Sequence, residues 1–238
     1  MTGGARGIGR VITRQLVDLG ATILIVGRNK NDLDRVAKEH PEQIVGLCAD
    51  LSDPSQVDHL IKRITENHPE ISVMVNNAGV QFEADLLSPA AQDHIANART
   101  EIAVNLDAPV ALTIGLLPIL RTHDHATVVN ISSALAIAPK EASPVYCATK
   151  AAIRNFSKSL RYQCETSAPN IRVTEVLMAL VDTDMTQGRG SGKITPKDAA
   201  ANVLAGIRAG RSEVWVGKSR LLRILDRISP ALSHRILR

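Results

Sequence analysis

Tyr146 and Lys150 stand four residues apart in an alanine-rich stretch (YCATK) that should be helical, so the phenol and the ammonium stack on one helix face. A free phenol titrates at about pH 10 and is a poor proton-transfer group near neutrality. An adjacent positive charge favours phenolate and should bring the phenol toward the working range that general acid–base catalysis needs. Earlier in the chain a short apolar run ends in Ser132 and Ser133 (VNISS), and a hydroxyl at the end of such a strand could hold a substrate carbonyl beside the phenol. The alternative is an ordinary Tyr/Lys pair on a helix surface, and the elements around the pair decide between the two.

The chain opens MTGGARGIG, with glycines at positions 3, 7 and 9. That spacing gives a tight turn, a close backbone approach and a helix start, the arrangement that cradles a pyrophosphate. The helix should run from about Ile8 to Leu19, with Val11, Ile12, Leu16 and Leu19 facing inward and Gly20 closing it. Such a loop follows a β-strand, and no residues stand before Met1 to form one. The expectation is therefore a natural chain that starts upstream, with Met1 as the last residue of the missing central strand.

Ala21 to Val26 (ATILIV) reads as a buried parallel strand, followed by Gly27 and Arg28. In dinucleotide-binding folds an acid at this point holds a ribose hydroxyl, whereas arginine accommodates a 2′-phosphate. Arg28 here and Arg6 in the glycine loop, without a carboxylate, favour NADP(H), with NAD(H) as the alternative. Next come a polar helix at Asn31 to His40, a strand at Ile44 to Cys48 ending in Asp50-Leu51, and a helix capped by Ser52-Asp53-Pro54. A strand at Ile71 to Val75 leads into Asn76-Asn77-Ala78-Gly79, small and amide side chains that suit backbone running against a ligand.

From Pro89 to Leu120 the pattern is helical, with Asn105 inside it (AVNLDAP) as either a satisfied core amide or a solvent relay. A strand at Thr127 to Ile131 precedes the serines, and the tyrosine helix should continue to about Gln163. Ile171 to Met178 is the next strand; the glycine-rich Gln187 to Lys193 that comes after it suits a lid over substrate. The segments around Leu135 to Val145 and Leu180 to Ile194, which should shape the substrate pocket, show no charge-selective set. Thr195-Pro196-Lys197-Asp198 starts a helix to about Arg208, and Glu213 to Val216 forms the last strand.

Strands alternating with helices imply a doubly wound parallel sheet, an α/β fold that apparently lacks its first strand. The body should span 1–217, and 218–238 form a basic amphipathic tail with Leu221, Leu225 and Ile228 on one face and Arg220, Arg223 and Arg227 on another. That tail should pack against the body or a sister subunit; the alternative is a weak contact with an anionic membrane surface. The 238 residues suit a sizeable core, which must be aliphatic because aromatics make up only 2%. A net charge of +4, spread along the chain and without aromatic platforms, does not indicate nucleic-acid binding. Cys48, Cys147 and Cys164 lack metal or CxxC spacing and suit a reducing cytoplasm, no metal site is visible, and the longest uncharged run, Ala108 to Leu120, is too short to span a bilayer.

Taken in order, TGGARGIG at 2–9, DL at 50–51, NNAG at 76–79, Asn105, Ser133, Tyr146 and Lys150 resemble the short-chain dehydrogenase/reductase family, from Thr2 to about Gly217. NNAGVQ, SSALAIAP, YCATKAAI and the VGKSRLL tail look most similar to its DltE-like oxidoreductase branch. The resemblance implies a Rossmann fold and an NAD(P)-dependent enzyme that interconverts a small-molecule carbonyl and a secondary alcohol, as a homodimer or homotetramer. It implies that Tyr146 moves the proton, Lys150 lowers its pKa and holds the nicotinamide ribose, Ser133 positions the substrate oxygen, and Asn105 anchors a water. Ser133 is preferred to Ser132 by its family spacing of thirteen residues before the tyrosine. For the cofactor it implies Thr2, Gly3, Arg6, Gly7, Ile8 and Gly9 at the phosphates, Asp50 and Leu51 at adenine, Asn77, Ala78 and Gly79 along its length, and Val181 and Thr183 at the nicotinamide end. Met178-Ala179 replaces the usual Pro-Gly, so the backbone there should differ. A non-catalytic nucleotide-binding scaffold, or an inactive truncated fragment, is the competing reading.

Overall fold

In the computed structural model, which describes residues 1–228, aliphatic runs form six parallel strands and the amphipathic segments between them pack on both faces. Helix α1 (Gly7–Asp18) leads to β1 (Ile23–Gly27), α2 (Lys30–Glu39), β2 (Ile44–Cys48), α3 (Pro54–Asn67) and β3 (Val73–Asn76). Then follow α4 (Ala91–Ile102), a π-helical turn (Ala103–Asp107), α5 (Ala108–Leu120), β4 (Ala126–Ser133) and α6 (Pro144–Ser167). The chain continues through β5 (Ile171–Met178), α7 (Pro196–Arg208), β6 (Glu213–Trp215) and α8 (Ser219–Ile228).

The strands pair as β1–β2 and as β3–β4–β5–β6. Between these two groups, among the described residues, lie only the first residues of the chain. Thr2 bridges to Val26 of β1, and its N–H donates to the Val75 carbonyl of β3 at 3.0 Å. Gly3 N–H donates to the Val26 carbonyl at 2.8 Å and Val26 N–H to the Met1 carbonyl at 2.9 Å. Met1 to Gly3 thus occupy the central position of the sheet and launch the glycine loop from it, among the described residues.

Alternation along each strand feeds two cores, which is why the strands read as unbroken apolar runs. Leu24, Val26, Leu47, Met74 and Val128 face α3, α5 and α6, while Ile25, Val75, Val129 and Val176 face α1, α2 and α7. By length and apolar content the continuous stretch Ala91–Leu120 would also suffice to cross a membrane, which the uncharged run alone did not suggest. Its Ala108, Leu112, Leu116 and Leu120 are instead buried in the core.

Two sequence expectations are corrected. Leu19 does not face inward: α1 ends at Asp18, and Leu19 is an exposed cap before Gly20 at φ +86°. In the tail, α8 buries Leu222 and leaves Leu221 and Ile228 exposed. The second correction is Arg220, which is a tie and not part of an outer basic face. Its Nε donates to the Trp215 carbonyl at 2.9 Å and its guanidinium to Asn202 Oδ1 of α7 at 2.7 Å. The side chains of Arg223 and Arg227, and the chain after Pro230, lie outside the described residues.

Candidate active site

The carboxyl ends of β3 and β4 and the first turns of α6 bring the expected residues together. Ser133 ends β4 and its Oγ accepts from the Leu135 N–H at 3.1 Å. Tyr146 lies in the first turn of α6, and its phenol makes a side-chain hydrogen bond with Ser133. Ser132, on the opposite side of the strand, instead donates to the Lys150 carbonyl at 3.4 Å. Strand alternation therefore separates the two serines and leaves Ser133 with the phenol.

Lys150 is buried one turn after Tyr146, its Nζ 5.6 Å from the phenol ring centroid and donating to the Ile131 carbonyl at 2.9 Å. Burial pulls the ammonium down to about 8. It also pushes the phenol up to about 12, against the opposing effects of the Ser133 hydrogen bond and the Arg189 charge. The sequence expectation that Lys150 would lower the phenol is thus not met in this structure. Desolvation penalises both charged forms, and the ammonium spends its hydrogen bond on backbone.

Asn105 sits in the π-helical turn, 1% exposed. Pro109 has no N–H to give the Asn105 carbonyl, and its ring crowds that carbonyl, so the helix widens there. The freed amide grips the chain after β3: it accepts from Val80 N–H and donates to the Val80 carbonyl, both at 2.8 Å. It also donates to Thr149 Oγ1 at 3.3 Å. A Cβ at Gly79 would lie 3.2 Å from Asn105 Oδ1 and 3.6 Å from Lys150 Nζ, so glycine lets the three converge.

The loop at the start of the chain is fastened to the same edge. Thr2 Oγ1 accepts from the N–H groups of Asn77 and Ala78, each at 3.0 Å, and Asn77 Nδ2 donates to the Thr2 and Gly3 carbonyls. Gly3 and Gly7 take φ +65° and +50°. A Cβ at Gly9 would overlap the Gly3 carbonyl and stand 2.6 Å from Asn77 Nδ2. Gly9→Ala should therefore spread the loop and abolish dinucleotide binding with a lower melting temperature; calorimetric titration beside thermal melting reads both.

These residues fit a dinucleotide. The first turn of α1 carries neither a side-chain cap nor an acid, so its N–H groups are open to an anion. Asn77 Oδ1 is buried without a partner among the described residues. Thr183 lies against Gly7, and Val181 is buried where it bridges to Ile194. Asp50 accepts from Ser52 N–H and Oγ, bonds that hold its carboxyl below the usual range, while Leu51 is buried in the core. Arg28 is exposed at the end of β1. Arg6 pairs with Asp32 of α2 at 2.6 Å, and Arg35 holds the other oxygen at 3.0 Å. The expectation of no carboxylate beside the arginines is corrected: Asp32 sits there, paired with Arg6 and Arg35.

Sequence reasoning missed four side chains on the substrate side. Glu101 accepts from Phe82 N–H, Gln81 bridges Ser143 and Arg189, and Glu83 meets Lys140 at 2.8 Å and Arg189 at 3.5 Å. Arg189 comes from the glycine-rich segment and carries charge close enough to act on the Tyr146 phenol. These contacts join segments far apart in sequence, and no local spacing encodes them. Among the described residues no group of His, Cys, Asp and Glu is arranged to hold a metal.

A profile of short chain dehydrogenases matches residues 1–193. The chain is 32% identical over 220 residues to the uncharacterized oxidoreductase DltE of Bacillus subtilis strain 168, covering 90% of this chain and 85% of that protein. It is similar to the crystal structure of a metagenomic short-chain oxidoreductase in complex with NADP, with a TM-score of 0.74, 28% identity, and coverage of 90% and 94% of the two chains. A short chain dehydrogenase from Burkholderia cenocepacia J2315, in complex with NADP, shares the fold at a TM-score of 0.86 and 24% identity over 99% of this chain and 94% of that one.

Proposed function

The chain belongs to the short chain dehydrogenase family and is an oxidoreductase, and from that premise we propose that it interconverts a carbonyl and a secondary alcohol, with NADP(H) preferred to NAD(H). The observation that carries this reading is the convergence of Ser133, Tyr146, Lys150 and Asn105 at one sheet edge, beside a glycine loop open to an anion. When bound, a nicotinamide cofactor would supply or accept the hydride.

The residues of the chain do the rest. The Ser133 hydroxyl orients the substrate oxygen beside the phenol, and Tyr146 gives that oxygen a proton in reduction or takes it in oxidation. Lys150, buried one turn along the same helix, would hold the cofactor ribose beside the phenol. Asn105 fixes Val80, and with it the Asn77–Gly79 backbone along the cofactor. Thr2, Gly3, Gly7, Ile8 and Gly9 would take the pyrophosphate, Asp50 and Leu51 the adenine, and Val181 and Thr183 the carboxamide end. Arg6 and Arg28 would face a 2′-phosphate; that the metagenomic relative is a complex with NADP supports the preference.

Titration with NADPH and NADH tests the cofactor reading. NADPH should bind more tightly, and Arg6→Ala/Arg28→Ala should weaken NADPH by roughly tenfold or more while leaving NADH nearly unchanged. Equal affinities in the parent chain would remove the preference. A homodimer or homotetramer through the helices bearing Asn105 and Lys150 is supported by the exposure of Ile102 and Ile114 on that surface. The three thiols are free, which suits a reducing cytoplasm.

A further inference from the structure

Two side chains one helical turn apart hold the chain that leaves β3. Asn105 takes Val80 by both backbone groups; four residues earlier, Glu101 Oε1 accepts from Phe82 N–H at 2.8 Å. Between these two anchors Gln81 reaches the other way. Its Nε2 donates to Ser143 Oγ at 3.0 Å and its Oε1 accepts from Arg189 at 2.8 Å. Ser143 is the residue before α6, and its hydroxyl accepts from Gln81 while making no cap of its own helix. Tyr146 follows three residues later. The segment 80–82 is therefore a strut from α4 to the first turn of α6 and to the glycine-rich lid.

Glu101 is 2% exposed and forms no ion pair among the described residues. A buried carboxylate so placed is costly, and desolvation raises its pKa. A glutamine could accept the same Phe82 N–H without that cost. What glutamate adds is charge, and its charge acts on the Tyr146 phenol, whose other polar and charged neighbours are Ser133, Cys147, Lys150 and Arg189.

We propose that Glu101 is a positioning residue for Tyr146, acting through the Val80–Phe82 strut and by its charge on the phenol. This rests on the reading of Tyr146 as the proton-transfer group. Glu101→Leu removes the acceptor of Phe82 N–H, and Glu101→Gln keeps it while removing the charge.

The test uses the full chain carrying Tyr162→Phe, which leaves Tyr146 as the only tyrosine. Phenolate absorbance then reports that phenol alone and needs no substrate, with circular dichroism following the fold. In Glu101→Gln the phenol should ionise at lower pH than in its parent, because a like charge is gone. In Glu101→Leu, kcat/KM for carbonyl reduction should fall at least tenfold, with the NADPH Kd within threefold of the parent. An unchanged phenol titration in Glu101→Gln, or kcat/KM within twofold in Glu101→Leu, overturns the inference. Failure of the parent reading looks different: Tyr146→Phe would then turn over as fast as the parent, whatever the Glu101 variants do.

Discussion

Tyr146→Phe should abolish carbonyl reduction while NADPH still binds, with kcat reduced by about 10²–10⁴-fold, the usual contribution of a positioned general acid. The phenol ring stays, so the packing beside Lys150 and the cofactor edge survive, and only the proton and the Ser133 hydrogen bond are lost. Single-turnover mixing of enzyme-bound NADPH with substrate isolates that step from release. The position of the phenol at about 12 also sets a pH pattern. Reduction needs the protonated phenol, which persists through the neutral and mildly alkaline range, so its rate should be flat there. Oxidation needs the phenolate and should rise with pH across the same range, which paired rate profiles in the two directions would reveal.

Arg154→Met should cost about 3–5 kcal/mol of stability, the penalty for leaving a buried carboxylate without its cation. Glu175 lies on β5 with 0% side-chain exposure, and Arg154 of α6 holds its Oε2 at 2.7 Å. The same guanidinium reaches Glu213 at 3.2 Å and covers Trp215 with its charge 5.6 Å from the ring centroid. No other cation pairs with Glu175 among the described residues, and its Oε1 has no hydrogen-bond partner there. For a chain of this size the loss corresponds to a melting temperature lower by roughly 6–20 °C.

The pH dependence of that deficit has a definite sign. Desolvation already raises the Glu175 pKa against the opposing charge of Arg154, and removing Arg154 raises it further. A carboxyl whose folded pKa lies above its unfolded value keeps more protons when folded, so its contribution to stability falls as pH rises through the folded pKa. The Arg154→Met deficit should thus be small at pH 5 and large at pH 8. Arg154→Met/Glu175→Leu, which removes both charges, should recover most of the loss. Singles and double melting alike at both pH values would show that the pair carries no such energy.

The chemistry was legible in the sequence where it depends on local spacing. Tyr146 and Lys150 share a helix face because they are four apart, and β2, β5 and α7 fall where alternation, apolar runs and the Thr195 cap put them. What depends on distant partners was not legible. The helix widening at Asn105 needs Pro109, and what Asn105 grips, Val80, is twenty-five residues away. Glu101, Gln81 and Arg189 gain meaning only when three separate segments meet. The pKa of Tyr146 was misjudged because spacing reveals the neighbouring charge but not the desolvation that outweighs it. Burial is a property of the folded chain, and so is the tie that Arg220 makes to Trp215 and Asn202.

Transfer of label from NADPH deuterated at nicotinamide C4 tests the central claim most directly. The full chain is incubated with the labelled cofactor and a panel of aldehydes and ketones, and products are read by mass spectrometry. The account predicts a secondary or primary alcohol carrying one deuterium on the former carbonyl carbon with the parent chain, and almost none with Tyr146→Phe at equal cofactor occupancy. Deuterated alcohol formed equally by both chains, or by neither while NADPH is bound, would contradict it.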